Sequence, residues 1–174
     1  SQQFGDLQGE DATGLFFMRV HFQAPPHLAS VAGLHTLFAH TKAQFGMELN
    51  LYAAALRPRL LLMVSQHGHC LNDLLFRWKS GYLPLDVRAI ISNHRDFYQL
   101  AASYNIPFHH IPVTAATKAD AEARQLDIIR TEGAELVILA RYMQVLSATM
   151  CRALSGRAIN IHHSFLPSSK GAKP

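Results

Sequence analysis

Near the end of the sequence, Arg157 to Pro174 reads RAINIHHSFLPSSKGAKP, a short apolar run giving way to amide, imidazole and hydroxyl side chains. Asn160 and His162 are two apart, so on a strand both point to the same face. An amide beside an imidazole is what acyl or formyl transfer needs. The amide donates to a developing oxyanion, and the imidazole moves a proton or polarises the same oxygen. On spacing alone, the alternative is a polar strand end that meets water.

Other chemistries find less support. The eleven histidines suggest a metal, and the close pairs are His67/His69, His109/His110 and His162/His163. None forms a His-x-x-x-His motif or has a Cys or carboxylate at ligand spacing, so no metal is expected. Cys70 and Cys151 show neither metal spacing nor disulfide density, as in a reduced cytoplasm. As a nucleophile, Cys70 has only His67 and His69 beside it in sequence.

A strand must carry Asn160 and His162, and the surrounding pattern supplies one. Short apolar runs at Leu60–Val64, Val87–Ser92, Phe108–Ile111, Leu136–Ala140 and Ala158–Ile161 read as buried strands. Helices lie between them. Leu71, Leu74, Leu75 and Trp78 share one face of Leu71–Lys79, and Ala119, Ala123, Leu126 and Ile129 mark a second helix that stops at Gly133. Alternation of this kind predicts an α/β fold, a doubly wound and mainly parallel sheet covered on both faces. Ligands of such sheets bind beyond the C-terminal strand ends, so chemistry is sought after Val64, Ser92, Ala140 and Ile161.

The first third differs. Gly14–Gln23 alternates as a strand, Pro25 and Pro26 break it, and Leu28, Val31, Leu34, Leu37 and Phe38 recur at helical spacing up to Gly46. Met47–Leu56 reads as another strand, and Ser1–Asp6 as the end of one. Arg57-Pro58-Arg59 marks the boundary between a domain at 1–56 and a domain at 57–174.

A net charge of +4 and a pI near 9.3 invite a nucleic-acid partner. The basic residues are scattered, as in Arg57/Arg59 and Lys170/Lys173, with no stripe along one helix, so no nucleic-acid partner is expected. Apolar runs reach about five residues against the roughly 20 that span a bilayer, so no membrane partner is expected either. No secretory signal pattern opens the sequence, and it does not begin with Met.

Asn160-Ile161-His162 after a strand, followed by Ser164-Phe165-Leu166-Pro167, resembles the signature of the folate-dependent formyltransferase superfamily. Within it, the segments His162–Pro167 with Lys170–Pro174, Gly68–Leu75 and Ala140–Gln144 are similar to the formyltetrahydrofolate deformylase family. Ser1-Gln2-Gln3-Phe4 followed by Phe16-Phe17-Met18-Arg19-Val20 resembles that family's regulatory ACT domain, a ferredoxin-like α+β module. Ser169 departs from the pattern, where an aromatic residue is expected. The likeness spans nearly the whole sequence.

The resemblance implies hydrolysis of 10-formyltetrahydrofolate to formate and tetrahydrofolate, with formate supplied to purine biosynthesis. Asn160 takes the oxyanion role and His162 the imidazole role. Met143 and Leu146 pack on the pterin, Arg141 meets the glutamate tail, and His163 joins the substrate-binding residues. For Leu146 the alternative is ordinary core, and for Arg141 a solvated side chain. The transferases' phosphate-cradling loop corresponds to Gln66–Cys70, where His69 and Cys70 favour water as the acceptor; a simple helix-start turn is the alternative. The substrate is the folate, no cofactor is required, and the expected partners are an amino-acid effector (glycine or methionine) and further copies in a homo-oligomer. Rival readings are formyl transfer to an amine and a non-catalytic amino-acid-binding protein. The family's trio also needs an Asp, and no carboxylate follows Glu135. A chain incomplete at both ends is therefore expected, slower than a full-length form by at least about a hundredfold, the minimum worth of one positioned acid–base group.

Overall fold

The computed structural model of the chain describes residues 4–10, 16–28 and 30–161 and divides the chain into two units, Ser1–Leu56 and Arg57–Pro174. In the first unit, strands β1 (Phe4–Glu10) and β2 (Phe16–His21) pair antiparallel. A single 3₁₀ turn at Pro26–Leu28 precedes helix α1 (Val31–Phe45). The helix starts where Ser30 accepts a hydrogen bond from the Gly33 N–H, and it stops at Gly46, whose φ of 60° is the left-handed conformation glycine adopts freely. The Phe22 and Phe38 rings meet edge to face, with centroids 6.4 Å apart.

The expected strand at Met47–Leu56 does not form. The stretch is irregular and ends in a turn, with Leu56 N donating to Ala53 O at 3.0 Å. Alternation prepares a segment for pairing, but a strand exists only with a neighbour, and among the described residues this segment has none.

The second unit continues with β3 (Arg59–Val64), α2 (His69–Lys79), β4 (Asp86–Ser92), α3 (Tyr98–Ser103), β5 (Phe108–His110), α4 (Lys118–Thr131), β6 (Leu136–Leu139), α5 (Ala148–Ala153) and β7 (Ala158–Asn160). Every pairing is parallel, in the order β5-β4-β3-β6-β7. Side chains alternate across the sheet. Leu61 and Met63 of β3 join Val137 and Leu139 of β6 in a core with α4 and α5, through Ala121, Ile129 and Met150. Leu60, Leu62 and Val64 face the other way, into a core with Leu71 and Leu75 of α2 and Ala101 of α3. Two helices on each face make the sheet doubly wound, and explain why β3 is apolar at successive positions rather than alternating.

One expected strand differs in burial. Ala158–Asn160 is exposed throughout, with Ile159 at 51%. Among the described residues it is an edge strand, paired only with β6, whereas β3 has a neighbour on each side.

Candidate active site

The chain runs outward from β3 through β4 to β5, then crosses back to β6 and β7 on the other side. The order therefore reverses between β3 and β6, which in open α/β sheets is where the ligand crevice is expected, outside the carboxyl ends of the strands. Three strand ends meet around Ser65, which follows β3 and is 3% exposed. Its N–H donates to Arg141 O at 3.2 Å, beyond β6. Its Oγ accepts from the Met143 N–H at 2.9 Å and donates to Asn93 Oδ1, beyond β4, at 2.7 Å.

The segment after β6 turns sharply. Ala140 N donates to Met63 O at 2.7 Å and Arg141 N to Leu139 O at 3.1 Å. Arg141 has a φ of 58°, a left-handed conformation costing a residue with a side chain about 1–2 kcal/mol. Its Nε is buried with no hydrogen-bond partner among the described residues.

Helix α4 holds the same segment from below. Its buried face carries Ala121, Glu122, Gln125 and Ile129. Gln125 Nε2 donates to Tyr142 Oη at 2.8 Å, both residues buried, and Ser147 N donates to Glu122 Oε1 at 2.8 Å. Burial pushes the Tyr142 phenol above its ordinary range; the Gln125 bond opposes the rise and the Glu122 carboxylate adds to it. Ser147 also caps α5, its Oγ accepting from the Met150 N–H at 3.2 Å.

Met143 lies at the crevice through its backbone bond to Ser65. Leu146 packs against the core cluster that holds Tyr142 and Met150. Asn160, exposed at the end of β7, is registered with Leu139, two residues before Arg141. His162 and His163 lie outside the described residues. Ser65, Asn93, Glu122 and Gln125 were not singled out by sequence. The helical face expected from sequence, Ala119, Ala123, Leu126 and Ile129, is rotated from the one observed: Ala119 and Ala123 are exposed, and Gln125 lies on the buried side between Ala121 and Ile129.

At the start of α2, Gly68 leaves room for the Phe97 ring, since a Cβ there would come within 2.2 Å of it. The Gln66–Cys70 loop leads into the first turn of α2, and its glycine sits against that ring. An open cleft of about 530 Å³, lined by Arg95, Asp96, Tyr98, Gln99, Phe108 and His110, lies at the β5 edge, away from the strand-order reversal. Among the described residues no group of three or more His, Cys, Asp or Glu side chains could hold a metal ion. No helix among them is long and apolar enough to cross a membrane.

The formyl transferase family profile matches residues 58–174, nearly the whole second unit. The chain belongs to the formyl transferase family. It is 46% identical over 173 residues to a formyltetrahydrofolate deformylase of Corynebacterium sp. (strain P-1), covering 99% of this chain and 59% of the relative. The crystal structure of a formyltetrahydrofolate deformylase from Burkholderia mallei ATCC 23344 is 48% identical, with a TM-score of 0.77, covering 98% of this chain and 61% of that one. A glycinamide ribonucleotide transformylase from Symbiobacterium toebii is 28% identical with a TM-score of 0.58, covering 69% of this chain and 58% of that one. This member of the family therefore spans about three-fifths of the length of its deformylase relatives, 59% and 61% in the two cases.

Proposed function

We propose that the chain carries the catalytic framework of a formyltetrahydrofolate deformylase, which hydrolyses 10-formyltetrahydrofolate to formate and tetrahydrofolate. One observation carries the reading. Similarity to proteins so named runs through both units, over 98–99% of this chain, whereas the ribonucleotide transformylase covers 69%. In this reading Asn160 holds the oxyanion of the attacked formyl group and His162 moves protons between water and N10. Met143 and Leu146 pack on the pterin, Arg141 meets the glutamate carboxylates, and His163 assists binding.

The folate is substrate, and no further cofactor enters the mechanism. Residues 1–56 serve as an ACT-like unit that binds glycine or methionine as effector, within a homo-oligomer. The free thiols of Cys70 and Cys151 suit a reducing cytoplasm, where formate would feed purine biosynthesis. Formyl transfer to an amine is the second reading, kept by the name of the family profile. The test is formate release from 10-formyltetrahydrofolate in buffer without an amine. Release supports hydrolysis, and strict dependence on added glycinamide ribonucleotide selects transfer.

A further inference from the structure

Ser65 is built into the crevice in a way that hydrolysis itself does not use. It is buried, and its hydroxyl is engaged on both sides, donating to Asn93 Oδ1 at 2.7 Å and accepting from Met143 N at 2.9 Å. Its backbone N–H holds Arg141 O at 3.2 Å. These two contacts to the loop lie on the C-terminal side of Arg141, the residue at φ 58°. A side chain persists in the left-handed region only where its surroundings over-determine it. On the N-terminal side that work falls to Met63 O and Leu139 O; on the other side it falls to Ser65.

We propose that Ser65 is a positioning residue for folate binding: its hydroxyl locks the Arg141–Met143 turn and so presets the Arg141 side chain and the Met143 backbone before substrate arrives. The inference rests on the folate reading of the crevice. Ser65 acts through the turn. With its hydroxyl proton and the Met143 bond already assigned, no direct contact with the reacting atoms is required. A preset turn lowers the ordering cost of binding, so losing it weakens affinity.

The test compares parent, Ser65→Ala and Asn93→Ala chains by calorimetric titration with tetrahydrofolate and by amide hydrogen exchange. Ser65→Ala leaves the part-buried Met143 N–H without its acceptor, and is expected to weaken tetrahydrofolate binding roughly five- to thirtyfold. Exchange at Met143 should rise about tenfold or more, while exchange at Leu62 in the sheet centre stays as in the parent. Asn93→Ala removes the bond to the residue after β4 but leaves the lock on Met143, so its affinity should stay within about threefold of the parent. Ser65→Thr keeps the hydroxyl and should restore both readouts. Trp78 fluorescence verifies folding, and Ser65→Cys carries the same comparison if the alanine variant unfolds.

Parent-like affinity in Ser65→Ala would overturn the proposal. So would lost affinity with Met143 still protected, or an equal loss in Asn93→Ala, because the hydroxyl would then not act through the turn. A parent that binds no tetrahydrofolate would overturn the folate reading and this inference with it, whatever the exchange data gave.

Discussion

Gly46 in the first unit and Arg141 in the second adopt nearly the same backbone, at φ 60° and 58°. Gly46 ends α1, and a Cβ built there would meet nothing within 4 Å, so glycine answers a local demand of the chain. Arg141 breaks the same rule beyond the end of β6, in a turn held by bonds from Leu139 of β6 and from Met63 and Ser65 at the end of β3. The contrast extends to burial. The second unit has a core on each face of its sheet, whereas none of the described side chains of the first unit is buried, and Phe16, Met18, Phe45 and Leu56 are 60–70% exposed. Apolar content is present in both units. Only the layered sheet, with helices on both faces, converts it into core, and only that unit departs from local backbone preference where a ligand would sit.

Burial should set the largest difference. Leu62 is fully buried and Leu37 is 55% exposed. Leu62→Ala should lower unfolding stability by about 2–5 kcal/mol, followed in urea by the fluorescence of Trp78, while Leu37→Ala, followed in urea by amide exchange in α1, stays within about 0.5 kcal/mol. A Leu37→Ala cost as large as that of Leu62→Ala would mean that the face of α1 is covered in solution, and the contrast between the units would fall.

Chemistry should divide the same way. In protein that turns over 10-formyltetrahydrofolate, Asn160→Ala should reduce turnover by roughly 10²–10³ with folate affinity little changed. Thr36→Ala, which removes an exposed hydroxyl bonded to Ala32 O in α1, should leave turnover unaltered. Steady-state kinetics with a separate binding titration decide it, and full activity in the Asn160 variant removes that residue from the mechanism.

The two left-handed residues give a smaller pair of effects, opposite in sign. Arg141→Gly relieves about 1–2 kcal/mol of backbone strain but adds about 0.4–1 kcal/mol of unfolded-chain entropy, for a net gain of about 0.5 kcal/mol. Gly46→Ala should lose about the same for the mirrored reason. Denaturant titrations check both signs. A stability loss in Arg141→Gly would show that the guanidinium contributes more than the backbone costs.

The smallest effect is alkaline. The Tyr142 phenol is raised in the folded state, chiefly by burial, so its contribution is complete below the ordinary phenol value of about 10 and is lost as pH rises through the folded value. Tyr142→Phe should flatten the decline of the second unit's stability above pH 10.

The sequence by itself determined the strands and helices whose signal is local. Leu60–Val64 is apolar at every position because both its faces are covered, and Leu71 to Trp78 repeats at helical spacing; such patterns are set by each segment's own residues. The sequence also placed the search at the ends of those strands, and offered Asn160 by residue type. Tertiary structure decided which segments have partners. Met47–Leu56 alternates without forming a strand, Ala158–Asn160 is a strand without burial, and the six-residue helices Tyr98–Ser103 and Ala148–Ala153 are too short for a clear period. It also decided the clamp around Arg141. Ser65, Asn93, Gln125 and Met143 are separated by 18 to 78 residues along the chain, and nothing in the neighbours of any one of them specifies the others. Periodicity records what a segment buries; hydrogen bonds between distant loops exist only after the sheet has chosen its order.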